Sequence, residues 1–535
     1  MRYRISILLI SVITIIIVIA VIDKSAFTHD IDMLGVKVYS SGKIDKAISC
    51  RVENKEVYHY PIFYNGNNLP YDWQTNTLYI PQDINKDEFQ GTLESEYGEL
   101  FFSDEVSVDC SSKIYTDEFD GNLVKRQEKY DTSVSKQEYI ACNTTFNLYL
   151  IWDNCFIKYN VIFTGTPVVS LTYDNYDAEL MSWNGQMTLT DPYHKKNEYV
   201  SQQCEYHLRG DSTSHMDKKS YELNLAEKES LIGLRTDDDW ALIALLGDNG
   251  FVHNKLAYDL WNDISKTNEI PYDNTVNSEF VEVFYDNTYA GLYLLCEKID
   301  RKQCKLGDND YLFRLDEMKA EVDTDPNYEK QYDYQIKWPK NYTEEDFEII
   351  NTFERIFFSK SGFDLEEALN TVNVENITDM NLYSMLICGV DNWDANCLYI
   401  APKSDDYKIS EVMWDMNETF GDDEWFEFRE DYITSSDMMI PYVKKIYDAD
   451  LKEMSSRMYK RWNKLRGMAI DKDELIKTIK DMELYLADSG AMSRETEKWN
   501  LYMKPEWRYE NLYNFIEKRI DYLDDFWEKE YAKYN

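Results

Sequence analysis

Residues 391–396 read D-N-W-D-A-N and residues 414–421 read W-D-M-N-E-T-F-G, and these two stretches decide how the rest of the chain is read. The first leaves a helical-looking segment, Leu382 to Val390. Between the two lie C-L-Y-I and Y-K-I-S-E-V-M-W, short runs of β-forming residues separated by a polar turn. The chain therefore passes from a helix into a loop holding Asp391 and Asn396 five positions apart. A pair of strands then carries it to Asp415, six residues before a glycine.

Those residue types suit one kind of chemistry. An aspartate beside an acceptor hydroxyl orients it and takes its proton, a contribution of about 10²–10⁴ in rate. An asparagine carbonyl and a second aspartate are hard oxygen ligands, suited to Mg²⁺ bridging nucleotide phosphates. In a chain with 99 acidic residues, D-x-x-x-x-N alone reads more readily as a solvated acidic loop than as a catalytic one. The strand pair and the W-D-M-N-E-T-F-G that follow separate this loop from that bland alternative.

A chain of 535 residues exceeds what one core usually supports, which points to two or three domains. Its net charge of −42 excludes an electrostatic nucleic-acid binder. Any nucleotide must then be attracted locally, by Lys, Arg and a divalent ion. Ile5 to Ile22 form eighteen consecutive uncharged residues behind Arg2 and Arg4, near the minimum for a membrane span. No small-x-small cleavage pattern follows, so residues 1–22 read as a single-pass signal anchor, with the bulk of the chain extracytoplasmic. Cleavage of that helix would make the protein secreted. Cys50, Cys110, Cys142 and Cys155 are numerous enough for two disulfides in an oxidising exterior, with the pairing open.

Residues 23–34 look like a tether. Residues 35–163 alternate apolar and polar in short runs broken by N-G-N-N and D-G-N, as in a small all-β, sandwich-like antiparallel domain. No catalytic constellation falls there; an inert spacer, a carbohydrate-binding module and a partner-binding module all stay open. A new unit opens near Gly165-Thr166-Pro167. In Y-H-L-R-G-D-S-T-S-H-M-D-K-K-S-Y-E-L-N-L, residues 206–225, two strands flank a turn rich in small residues. Such a turn lets backbone N–H groups approach phosphates, and Lys218 or Lys219 would neutralise them. A surface charge pair is the commoner role for two such lysines.

Farther on, Gly247-Asp248-Asn249 breaks the chain before a helix expected to bury Val252, Leu256, Leu260, Trp261 and Ile264. A hairpin turning at Asp286-Asn287 ends in Glu297, a candidate binding residue or simply a surface acid. Y-L-F-R-L-D and Y-Q-I-K-W-P-K read as strands, and helical patterns dominate from Thr343 onward. The last helix carries Leu512, Ile516, Ile520, Leu523 and Trp527 on one face, which assigns it to packing.

Protein kinases share this layout of a catalytic Asp, an Asn five residues on, a hairpin, and a metal-binding Asp before a Gly. More specifically, R-G-D-S-T at 209–213, K-K-S-Y at 218–221, L-C-E at 295–297, Asp391 to Asn396 and W-D-M-N-E-T-F-G at 414–421 occur in the order found in the CotH kinase family of spore coat proteins. The chain resembles that family over roughly residues 166–530. The resemblance implies an α+β, two-lobed atypical protein-kinase-like domain at 164–530, with a small lobe over 164–303 and a helical lobe over 304–530. It implies transfer of phosphate from ATP, with Mg²⁺ or Mn²⁺, to Ser or Thr of a protein substrate in a spore coat or cell envelope. Asp391 would be the base, and Asn396 and Asp415 the metal ligands. Arg209, Gly210, Ser212, Lys218, Lys219, Tyr221 and Glu297 would bind ATP, with Tyr221 stacking on adenine. Two departures stand out. Asp211 replaces the family's usual asparagine and Asn417 its second acid, with Asp422 or Asp423 as candidates to compensate. An inactive scaffold therefore stays open beside the active kinase.

Overall fold

The computed structural model describes residues 32–109, 125–178, 181–194, 198–210, 215–268, 274–319, 325–360, 362–393, 396–422, 428–499 and 505–535. Residues 1–22, where the membrane helix is expected, lie outside these, as do Asp211, Ser212 and Asp423. Among the described residues no helix is long and apolar enough to cross a membrane. The chain divides into two compact units at Gly165/Thr166.

In the first unit, alternation does what the sequence says it should. Strand Thr145–Trp152 buries Phe146, Leu148 and Leu150 completely and pairs antiparallel with Cys155–Thr164, which buries Ile157, Tyr159 and Val161 beside them. The expected antiparallel sandwich, however, is not what forms. Val36–Tyr39 runs parallel to Glu99–Asp109, Thr77–Pro81 runs parallel to Cys155–Thr164, and helices Ser41–Ile48 and Lys136–Ala141 are interleaved. The sheet is mixed because its crossovers return strands in the same sense, which a local alternation pattern cannot reveal. The helix Ser41–Ile48 buries only Ile44, too little to print a helical stripe. Cys50 and Cys155 carry free thiols, so the four cysteines of this region do not form two bridges.

The second unit opens with β1 (Val168–Leu171), β2 (Asn175–Asp177), β3 (Ser182–Thr190), β4 (Tyr199–Arg209), β5 (Ser220–Ser230), β6 (Thr236–Ile243), β7 (Ser278–Tyr285) and β8 (Thr288–Glu297). Their order is β1-β7-β8-β6-β5-β4-β3-β2, and β3 also pairs with β1, so seven strands close into a ring. Closure removes the exposed edges an open sheet would leave. One set of alternating side chains, including Tyr206, Tyr221, Leu223, Trp240, Leu242, Val283, Tyr293 and Leu295, packs together as the ring's own core. The opposite set, with Ala241, Ile243, Phe280, Leu292, Leu294 and Cys296, joins the core of the helical part. Between β6 and β7 runs α1 (His253–Lys266), which buries Leu256, Ala257, Leu260, Trp261 and Ile264 at the expected spacing. The β7–β8 hairpin turns at Asp286 and Asn287, both left-handed at φ 46° and 55°, as a two-residue type I′ turn requires.

A four-stranded sheet follows, ordered β10-β9-β11-β12, from β9 (Tyr311–Met318), β10 (Tyr332–Trp338), β11 (Leu398–Ala401) and β12 (Ser410–Val412). The helices around it are α2 (Glu348–Phe358), α3 (Leu365–Thr371), α4 (Val374–Ile387), α5 (Pro441–Ala449), α6 (Leu451–Arg466), α7 (Lys472–Asp488), α8 (Ala491–Trp499) and α9 (Pro505–Tyr534). Leu512, Ile516, Ile520, Leu523 and Trp527 of α9 are all at most 2 % exposed.

Two buried ion pairs bind α8 to the ring. Lys218 donates to Glu495 Oε1 at 2.6 Å and to the Leu292 carbonyl at 2.5 Å, and Leu292 N–H donates to Glu495 Oε2 at 2.7 Å. Arg494 holds both oxygens of Glu282 at 2.7 and 2.8 Å. Gly291, at φ +102°, makes room: a Cβ there would lie 2.1 Å from Glu495 Oε2. Burial pushes the Lys218 ammonium down and the Glu495 carboxyl up in pKa, and each charge offsets part of the other's shift. Removing one partner strands a buried charge at a cost of about 3–5 kcal/mol, whereas replacing both with apolar groups is far milder. Chemical denaturation should accordingly show Glu495→Ala strongly destabilised, and the double variant Lys218→Met/Glu495→Leu recovering most of that loss.

Candidate functional site

Helix α4 ends where Cys388 adopts a left-handed conformation, φ 55°, and Gly389 leads into a single 3₁₀ turn, Val390–Asn392. Asp391 sits on that turn. Asn396, also left-handed at φ 51°, turns its amide back so that Nδ2 donates to Asp391 Oδ2 at 2.5 Å. Asn392 Nδ2 donates across to the Trp414 carbonyl at 2.8 Å, which ties this loop to the segment carrying Asp415. Asp415 is left-handed as well, φ 59°, and its side chain is 29 % exposed. Arg209, at the end of β4, lies 4.5 Å over the Trp414 ring, with Nη2 3.8 Å from Asp415 Oδ2. Asp391, Asn396, Asp415 and Arg209 thus share one neighbourhood, although 206 positions separate the first and last of them in sequence (415 − 209).

Helix α1 holds the Asp415 segment from the other side. Asp415 N–H donates to Tyr258 Oη at 3.3 Å, and Met416 N–H to Asn254 Oδ1 at 2.9 Å. His253 Nε2 lies 3.6 Å from Asp422 Oδ2 while its Nδ1 faces Asp248 at 3.0 Å. Burial first, and then the charges of Cys296 and Asp415, push the Tyr258 hydroxyl well above its ordinary pKa. Sequence reading placed Asp248 as a helix breaker and α1 as core, and missed these polar roles. The signal was present: G-D-N followed five residues on by H-N puts an acid at a helix start, where it caps.

Two further groups brace the loop from below. Arg519 of α9 is fully buried, and among the described residues its hydrogen bonds all end on backbone carbonyls: Met385 at 2.9 and 2.6 Å, Tyr432 and Ile433 at 3.1 Å, and Ser435 at 2.7 Å. Met385 O belongs to the last turn of α4, so the guanidinium caps the negative end of the helix from which Asp391 departs. Glu411 of β12 is buried, accepts from Tyr442 Oη at 2.7 Å, and has its carboxyl pushed up by burial to about 7.

The other residues singled out in the sequence fall elsewhere. Lys218 is buried and bound to Glu495, so its ammonium does not reach a phosphate. Tyr221 stacks on Tyr285 at 5.8 Å inside the ring, with Tyr206 edge-on, leaving no face for adenine. Glu297 is 2 % exposed and accepts from Arg235 N, Asn277 N and Asn277 Nδ2, which makes it a latch between strands. Lys219 is half-buried just before β5, and Gly210, φ +87°, follows Arg209 at the end of β4. Asn417 is half-exposed, and the buried Asp422 faces His253. Among the described residues the three acids that converge most closely are Asp237, Asp238 and Asp239, but Lys302 already sits among them.

The donor set fits a hard divalent ion. Asn396 spends Nδ2 on Asp391, which leaves its Oδ1 as an oxygen donor, and Asp415 offers a carboxylate. A mixed α+β domain whose Asp–Asn loop is bonded across to the segment preceding a second aspartate is kinase-like in class. A family model described as CotH kinase protein matches residues 206–523, more than half of the chain, and the protein belongs to that family. None of the curated proteins matches it. The match begins within β4 and takes in the whole neighbourhood of Asp391 and Asp415.

Glu411 yields a pH signature. Its folded pKa of about 7 exceeds the unfolded value near 4.5, so the folded state holds one more proton between these pH values. Stability from this group is full below pH 4.5 and declines as pH rises to 7, by roughly 2–4 kcal/mol in all. Glu411→Gln keeps an acceptor for Tyr442; in denaturant melts it should match the parent near pH 4.5 and exceed it at pH 8.

Proposed function

We propose that the protein is a membrane-tethered, extracytoplasmic kinase that transfers the γ-phosphate of ATP to Ser or Thr hydroxyls of an envelope or spore-coat protein. The single observation that supports this reading is the 2.5 Å bond from Asn396 to Asp391, on a loop that Asn392 ties to the segment carrying Asp415. In this reading Asp391 would accept the proton of an acceptor hydroxyl as that oxygen attacks the γ-phosphorus and ADP leaves. Mg²⁺ or Mn²⁺, held by Asn396 and Asp415, would supply charge neutralisation between the phosphates. Arg209, Gly210 and Lys219 are the phosphate contacts this reading keeps. Lys218, Tyr221 and Glu297 drop out for the packing reasons above. The membrane tether rests on Ile5 to Ile22 and their basic flank alone.

A second reading, a surface or spore-coat scaffold that binds nucleotide without transferring phosphate, is favoured by Asn417 in place of an acid and by Asp422 being turned toward His253. Labelled ATP separates the two. Label from γ- but not α-labelled ATP should enter the protein or a Ser-rich acceptor, and Asp391→Asn should lower the rate by about 10²-fold or more at unchanged thermal midpoint. Equal labelling of parent and variant would remove Asp391 from its role. A midpoint raised by ATP and Mg²⁺ without any transfer would establish the scaffold.

A further inference from the structure

With Lys218 bound to Glu495, the cleft is short of the positive charge that a triphosphate needs. Arg209 already lies 3.8 Å from the Asp415 carboxylate, so part of its charge is spent. In a chain at −42 the balance must come from cations close by. One group of them is in reach: Lys298 directly after β8, Arg314 on β9, Lys337 on β10 and Lys340 just past its end.

Two walls place this group. On the ring, His207 stands two residues before Arg209 on β4 and so shares its face. His207 pairs in register with Glu222 of β5, and its Nε2 lies 3.4 Å from Glu222 Oε2. Lys298 donates to that same oxygen. On the four-stranded sheet, Arg314 pairs with Leu398, two residues past Asn396, and Leu315 N–H donates to the Cys397 carbonyl at 3.0 Å. Two residues of chain span at most about 7 Å. The group therefore runs from beside Arg209 to beside Asn396, with Lys337 between its two ends.

Acids are scarce there. Lys337 is half-buried, and burial is the first cause that lowers its pKa. Arg314, Lys298 and Lys340 lower it further, and Glu222 opposes them. Four cations thus face one carboxylate, which Lys298 and His207 already share. Lys337 bonds only the Gln335 amide oxygen, at 3.4 Å, and the exposed Arg314 and Lys340 pair with no acid among the described residues. Asp316, the nearest acid along β9, lies at a bulge and bonds none of them. A lone carboxylate would answer one of these charges. Cations on three separate elements suit a ligand with several negative charges on one short chain.

We propose that Lys298, Arg314 and Lys337, with Lys340 at the rim, receive the polyphosphate of the nucleotide in the place expected of Lys218. This rests on the nucleotide-binding reading above and holds whether or not phosphate is transferred.

Calorimetric titration of the whole protein with Mg²⁺–ATP, inorganic triphosphate and adenosine, without any acceptor, tests it. ATP and triphosphate should bind saturably, and added salt should weaken both. Arg314→Ala combined with Lys340→Ala, at exposed positions, should leave the thermal midpoint unchanged. This pair should weaken ATP and triphosphate by about tenfold or more, the value of a lost charge-assisted bond, and leave adenosine as it was. Lys337→Met should act in the same direction. Cluster-dependent ATP binding with no label transferred would sink the kinase reading and keep this one. Transfer of label with the double variant binding ATP like the parent would do the reverse. The proposal is also overturned if ATP does not bind, or if hexaglutamate binds these residues more tightly than ATP, which would give the surface to a protein partner.

Discussion

The carboxylate of Asp248 is the constraint on which the cleft depends. It accepts from His253 N and Nδ1 at 2.9 and 3.0 Å and from Asn254 N and Nδ2 at 3.1 and 3.2 Å. An acid at the start of a helix satisfies donors that the helix leaves open and meets the positive end of its dipole. Here it also orients two side chains. Because Asn254 spends its amide N–H on Asp248, its carbonyl oxygen is the end left for Met416 N–H. Because the imidazole turns Nδ1 to Asp248, Nε2 is the atom left to face Asp422. One carboxylate therefore fixes both ends of the 416–422 turn and, through Tyr258 on the next helical turn, the backbone of Asp415.

How much of this was legible in the sequence follows from how local each cause is. The face of α1, the type I′ turn at Asp286-Asn287, the stripe on α9, and the loop linking Asp391 to Asn396 are all encoded within a few residues, and all could be read. The fate of Lys218 could not: its partner Glu495 is 277 positions away, and nothing near Lys218 marks it as interior. Closure of the ring has the same character, since the β1–β3 and β1–β7 pairings join strands whose own patterns fit an open sheet equally well. Tyr221 was expected to stack on adenine, but its ring turns inward against Tyr285 once the strands close. In the first unit the antiparallel hairpin was legible and the parallel neighbours were not, because period-2 alternation is blind to strand direction.

Buried charge is handled in three ways in this fold. Lys218 with Glu495 and Arg494 with Glu282 are paired acid to base. Glu411 is shifted toward its neutral form, so little charge is buried at moderate pH. Arg519 is neither: burial lowers its pKa, and among the described residues it bonds carbonyls and no acid. A guanidinium keeps its proton under conditions where an ammonium would yield it, and its planar fork suits several carbonyls at once. Carbonyls at a helix end carry a net negative dipole, which gives a diffuse counter-charge without a second buried ion. Such a solution also fixes geometry more tightly than an ion pair, because each of five bonds has its own direction.

The same logic bears on the left-handed backbone that recurs around the Asp391 loop. Cys388, Asn396, Asp415 and Phe420 all have φ between 51° and 59°, a conformation that costs a side-chain-bearing residue about 1–2 kcal/mol. In regular strands, Asn396 and Asp415 would be committed to one sheet face or the other by alternation. The left-handed turns break that commitment at the two ends of the β11–β12 pair, turning the Asn396 amide back to Asp391 and setting the Asp415 carboxylate near Arg209. Such strain persists only where neighbours over-determine it. The Asn392 bond to Trp414, the Tyr258 and Asn254 bonds to residues 415 and 416, and the Arg519 cap beneath α4 are that determination. The precision of the cleft therefore resides less in its own residues than in a capped helix on one side and a buried guanidinium on the other.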